Sequence, residues 1–178
     1  MSISRIFRLR ALFFSLVLPN MVFAATVYET QAEFLDRAFN HVPPDPGVVW
    51  ISGDRKSAVH QMLGHDYPAL RIRYWCRDMR SAWILEEVGK DLPITVGVVI
   101  VGNYIESLRV LMYRENRGGE VATPSFTEQF NGSALDHDNT LDAPIDGITG
   151  ATLSVRALSR LATLALYLES DVGCKDGS

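Results

Sequence analysis

Hydrophobic and polar positions fall into distinct periods along the chain. After Thr30, Phe34, Leu35, Ala38 and Phe39 recur on one helical face, and Thr30-Gln31-Ala32-Glu33 has the spacing of a capping box. Pro43-Pro44-Asp45-Pro46-Gly47 ends that pattern and reads as a rigid surface linker. Val48 to Ile51 is a short strand candidate, and Ser57 to Leu63 a short helix stopped by Gly64. From Ala69 to Trp75 the period becomes two, with Leu70, Ile72 and Tyr74 on one side and Arg71, Arg73 and Trp75 on the other. Arg77-Asp78-Met79-Arg80 is a turn before Ala82–Val88. Pro93–Val101 is rich in β-branched residues, Gly102-Asn103 is a tight turn, and Tyr104–Tyr113 returns as its partner.

Beyond this β region the chain is loop-like. Arg114–Gly119 is a glycine-containing loop, Ser125 to Phe130 a short helix or turn, and Asn131 to Pro144 a polar, acidic loop. A long amphipathic helix then runs from about Thr152 to Ser170, its apolar side carrying Leu153, Ala157, Leu158, Leu161, Leu164, Ala165 and Leu168. The pattern predicts an α+β fold: an antiparallel sheet of about four or more strands flanked by helices, with the long helix last.

The first 25 residues form a separate unit. Arg5, Arg8 and Arg10 precede an apolar stretch from Ala11 to Ala24 that ends Val22-Phe23-Ala24-Ala25. This is the layout of a secretory signal, too short to span a bilayer comfortably; an uncleaved membrane anchor is the alternative. The expected division is a signal at 1–25, a helical and linker region at 26–68, the main domain at 69–172 and a polar tail at 173–178. The mature protein is expected in a bacterial periplasm.

Composition narrows the function classes. Of 178 residues, 47% are hydrophobic and 21% charged, as in ordinary globular proteins, which excludes a disordered or polytopic membrane chain. Removing the three leader arginines takes the formal net charge from −4 to −7, so no nucleic-acid partner is expected. Two cysteines, Cys76 and Cys174, are too few for a disulfide scaffold or a four-cysteine metal site; whether they pair is left open. The histidines, His41, His60, His65 and His137, have no metal-ligand spacing, and no hydrolase constellation stands out.

Chemistry concentrates at Asp146-Gly147-Ile148-Thr149-Gly150-Ala151-Thr152-Leu153-Ser154, a glycine-bearing turn feeding a helix N-terminus. Free N–H groups and the helix dipole favour a phosphate there. The spacing fits neither a nucleotide P-loop nor a Rossmann fingerprint, and a simple capped turn gives the same pattern.

Asp146 to Thr152 resembles the D-x-x-[ST]-G-A-[ST] signature of FMN-binding domains with covalently attached flavin. That family includes FMN-bearing subunits of the Na⁺-translocating NADH:quinone reductase and of the Rnf complex, and small secreted flavoproteins, which this chain resembles more. Similarity extends upstream through the hairpin Val96–Tyr113, the loop Arg114-Glu115-Asn116-Arg117-Gly118-Gly119 and Phe126-Thr127-Glu128-Gln129-Phe130. The resemblance implies FMN joined through its phosphate to the Thr152 hydroxyl by a flavin transferase that uses FAD and Mg²⁺. It implies that Asp146, Thr149, Gly150, Ala151 and Glu115 belong to the cofactor site, with no catalytic residue and no metal ligand assigned. Trp75, Trp83, Tyr104 and Tyr113 are candidate covers for the flavin ring. The expected role is an electron carrier between a membrane redox protein or cytochrome and an acceptor. A flavin-dependent reductase module and a secreted binding domain without flavin are the alternatives.

Overall fold

The computed structural model describes residues 25–174. The leader expected over residues 1–25 lies outside the described residues up to position 24, as does most of the polar tail. Among the described residues no helix is long and apolar enough to cross a membrane.

The chain forms β1 (Thr26–Val27), α1 (Gln31–Ala38), β2 (Pro46–Trp50), α2 (Gly53–Leu63), β3 (Arg71–Arg77), β4 (Arg80–Val88), β5 (Pro93–Val101), β6 (Tyr104–Tyr113), α3 (Pro124–Thr127) and α4 (Thr152–Val172). The six strands make one sheet in the order β1-β6-β5-β4-β3-β2. Every neighbouring pair is antiparallel. The fold is α+β, as the alternation predicts, and residues 26–68 supply both edge strands.

Strands β3 to β6 form a meander because each connection suits a tight turn. Asp78 and Met79 both have positive φ, 51° and 59°, which matches the strand twist across a two-residue hairpin. Gly102 has φ 62° at the start of the β5–β6 turn. The sheet then separates two cores. On one face α4 and α2 bring Leu158, Leu161, Leu164 and Val59 onto Trp83, Val96, Val98 and Ile105. On the other, α1 lays Phe34, Leu35, Ala38 and Phe39 on Trp75, Ala82, Val99 and Leu111. Thr30 and Glu33 make the full capping box that starts α1. Gly97 is what lets α1 approach: a Cβ there would lie 2.6 Å from the Phe34 ring.

Three local expectations need correction. Pro46 and Gly47 open strand β2 and are not linker; a proline is tolerated at the start of an edge strand, and the ring of Tyr74 occupies the space a Gly47 side chain would take. Helix α2 begins at Gly53, four residues before the expected Ser57, with Ser52 at its N-cap position. Leu153, read as part of the apolar side of α4, is 40% exposed because the first turn of the helix is open to solvent. Ala157, Leu158, Leu161, Leu164, Ala165 and Leu168 are buried as expected, and the helix continues to Val172 before Gly173 in the left-handed region.

The far end of α4 is tied down twice. Cys76 and Cys174 form a disulfide, with their sulfurs 2.06 Å apart. The buried Glu169 carboxylate accepts hydrogen bonds from Ser81 Oγ at 2.5 Å, Trp83 Nε1 at 3.1 Å and the Cys174 N–H at 3.2 Å.

Candidate cofactor site

The near end of α4 is built differently. Its N-cap residue is Ala151, whose methyl cannot accept a hydrogen bond, and among the described residues no side chain caps the helix. The first backbone bond of the helix runs from the Val155 N–H to the Ala151 carbonyl at 3.0 Å. The N–H groups of Thr152, Leu153 and Ser154 come before it, and the first turn holds no acidic side chain. The 21-residue helix therefore presents its positive end with nothing of its own to neutralise it.

Gly150, at φ 86°, bends the chain into this helix and leaves open space where a side chain would project. Thr152 is exposed at the mouth. Ser154 is buried, with Oγ 3.0 Å from the Tyr113 hydroxyl, which itself donates to the Arg117 carbonyl. Burial pushes the Tyr113 phenol up, the Ser154 hydrogen bond opposes the rise, and the net shift is upward, so it stays protonated. Gly118, also at φ 86°, packs the loop after β6 against the helix start; a Cβ there would lie 2.8 Å from the Tyr113 hydroxyl.

Glu115 has a structural task. Its Oε1 accepts the N–H groups of Lys90, Asp91 and Leu92 at 2.6, 2.6 and 2.9 Å, so one carboxylate oxygen holds the whole β4–β5 turn. Burial pushes this carboxyl up, the three amides more than offset it, and the group sits below the usual range. Holding the turn places Lys90 and Asp91 opposite the helix N-terminus. Between them lies an open cavity of about 420 Å³, whose wall includes Lys90, Glu115, Arg117, Gly150, Thr152 and Leu153.

The sequence-predicted residues divide accordingly. Thr152, Gly150, Ala151 and Glu115 meet at the cavity. Asp146 and Thr149 lie on the exposed turn leading to it and are not part of its wall; the Asp146 N–H donates to Gln129 Oε1 at 2.8 Å. None of the four aromatics lines the cavity. Trp83 is buried under α4, Trp75 under α1, and Tyr104 is exposed, whereas Tyr113 lies just behind Ser154. Arg114 turns away to the Pro93 carbonyl, Thr95 and Glu86. Lys90 and Asp91 were missed, and no local signal marks them. Arg117 and Asn116 were within reach, since they follow Glu115 in a loop already marked. Among the described residues no group of three histidine, cysteine or carboxylate side chains suits a metal ion.

A phosphate fits this geometry. It needs N–H donors and positive potential, which the bare helix end supplies; Lys90 and Arg117 share the wall with Glu115 and with Asp91, whose carboxylate lies 3.6 Å from Lys90. Residues 89–167 match the family described as the FMN-binding domain. Over these residues the chain is similar to that family. The FMN-binding domain so matched runs from the β4–β5 turn into α4 and takes in every residue of the cavity wall. No curated protein matches the chain.

Proposed function

We propose that the protein carries FMN as a phosphoester on Thr152 and works as an electron carrier outside the cytoplasm. The observation that carries this reading is the uncapped N-terminus of α4, with an exposed threonine at its first position and an open cavity in front of it. When bound, FMN supplies one- and two-electron chemistry. The chain's own residues do the holding. The N–H groups of the first turn and the helix dipole face the phosphate, an interaction of about 0.3–1 kcal/mol when exposed and up to ~2 when partly buried. The Thr152 hydroxyl is not nucleophilic by itself, so a flavin transferase with FAD and Mg²⁺ activates it from outside. Asp146 and Thr149, exposed on the approach, present the turn to that enzyme. The electron donor proposed is a membrane redox protein or cytochrome, reached after the leader directs the chain to the periplasm.

Co-expression with a flavin transferase tests the attachment. The wild-type band should keep flavin fluorescence on a denaturing gel, and Thr152→Ala should abolish it while the protein stays folded. Thr149→Ala should retain part of the signal and Asp146→Ala less than wild type. A fluorescent Thr152→Ala band would move the attachment site, and a dark wild-type band beside an active transferase would leave a binding domain without covalent flavin.

A further inference from the structure

The two faces of the sheet are not equally covered at the β2 edge. On the α4 side Val49 and Ile72 are buried. On the α1 side the eight-residue α1 covers β4, β5 and the Trp75 end of β3, and among the described residues no helix covers β2 or the Arg71–Arg73 end of β3. Val48 and Trp50 point to that bare side from the terminal strand, 43% and 56% exposed. Directly across from them stand Arg73 and Arg71, both exposed. Neither arginine is tied up by a carboxylate among the described residues.

A tryptophan beside a valine on an uncovered sheet face makes a contiguous apolar patch, the kind of surface that marks an interaction site. At a membrane surface the same set is useful: the indole sits at headgroup level, the aliphatic chains reach below it, and the guanidinium groups meet lipid phosphates. The charge pattern points the same way, because two free cations stand on a chain whose balance is otherwise acidic. We propose that the strip Val48, Trp50, Arg71 and Arg73 seats the protein on an anionic lipid surface.

The strip also contains its own reporter. Trp75 and Trp83 are buried at 5% and 0% exposure, so Trp50 alone of the three tryptophans senses a change of solvent. The mature chain, with and without flavin, is mixed with phosphatidylglycerol-rich vesicles and with phosphatidylcholine vesicles at low salt. We expect about tenfold stronger cosedimentation with the anionic vesicles, lost in high salt, and a blue shift of tryptophan emission in the flavin-free protein. Arg71→Gln with Arg73→Gln should remove the preference. Trp50→Phe should still cosediment with the anionic vesicles but show no shift. No partition into anionic vesicles, or partition unchanged in the double arginine variant, overturns the proposal. So does an emission shift that grows with protein concentration without lipid, which would make the strip a contact between two copies. Since the flavin-free protein is tested too, failure of the flavin assignment leaves this result readable.

Discussion

Helix α4 ends in two opposite ways. At its C-terminal end a disulfide, a glycine cap and a buried carboxylate with three donors hold the helix. At its N-terminal end an alanine stands where a capping serine or aspartate would be favoured, and a glycine turn opens it to solvent. Binding a ligand through backbone N–H groups requires that the protein leave them unmet, and that is affordable only when the helix is secured elsewhere. The tightly bonded end is therefore part of the site's construction, although it touches none of it.

Breaking the closed end should have the largest effect. Replacing Cys76 and Cys174 by serine opens a link between residues 98 apart in sequence, and the stability lost should be about 4 kcal/mol, read by urea denaturation. The open end should keep its capacity for covalent flavin below that transition. Leu158→Ala, in the fully buried middle of the helix, should cost roughly 2–5 kcal/mol. A cost within about 0.5 kcal/mol would mean that the helix face is wrongly placed.

Closing the open end should do the reverse. Ala151→Ser supplies the missing acceptor and should stabilise the protein by about 0.5–1 kcal/mol. The same hydroxyl competes for the first-turn N–H groups, so the yield of covalent flavin should fall as the melting temperature rises. If both rise together, the bare cap has no connection with the phosphate.

The smallest effect concerns pH, on the flank between these ends. His65 bonds the Asp66 carbonyl through Nδ1 and Glu87 through Nε2, each at 2.9 Å. The Asp66 carbonyl first, and the buried Glu87 carboxylate second, raise its pKa above the ordinary 6.5. The raised value means that its stabilisation is full below pH 6.5 and fades as pH climbs through the folded pKa. Thermal melts across that window should show the fade in wild type and its absence in His65→Gln.

How much of this was legible in the chain depends on where the partner lies. β5 and β6 were readable to the residue, because a β-branched run and the Gly102-Asn103 turn are local signals. The capping box announced α1, yet nothing announced that α1 and α4 cover opposite faces; period-two alternation shows two sides without saying what covers them. β1 went unread because two residues have no periodicity, and its strand character comes wholly from Met112 and Tyr113. At the site, Thr152 stood inside a contiguous signature, but Lys90 enters through a hairpin turn some sixty residues earlier. What brings it there is three amides on Glu115, a link that no spacing encodes. Leu153 was misread because helical periodicity does not reveal where the sheet beneath a helix stops.

The pairing of β1 with β6 also has a consequence in time. Thr26 lies against Tyr113, and Val27 against Met112, while the meander between them is built from neighbours in sequence. Loop closure over so long a span has little to reward it until the β5–β6 hairpin exists. The earliest residues of the described chain should thus pair only after that hairpin has formed. Until they do, α1 has no anchored start, and the hydrophobic face it covers waits uncovered.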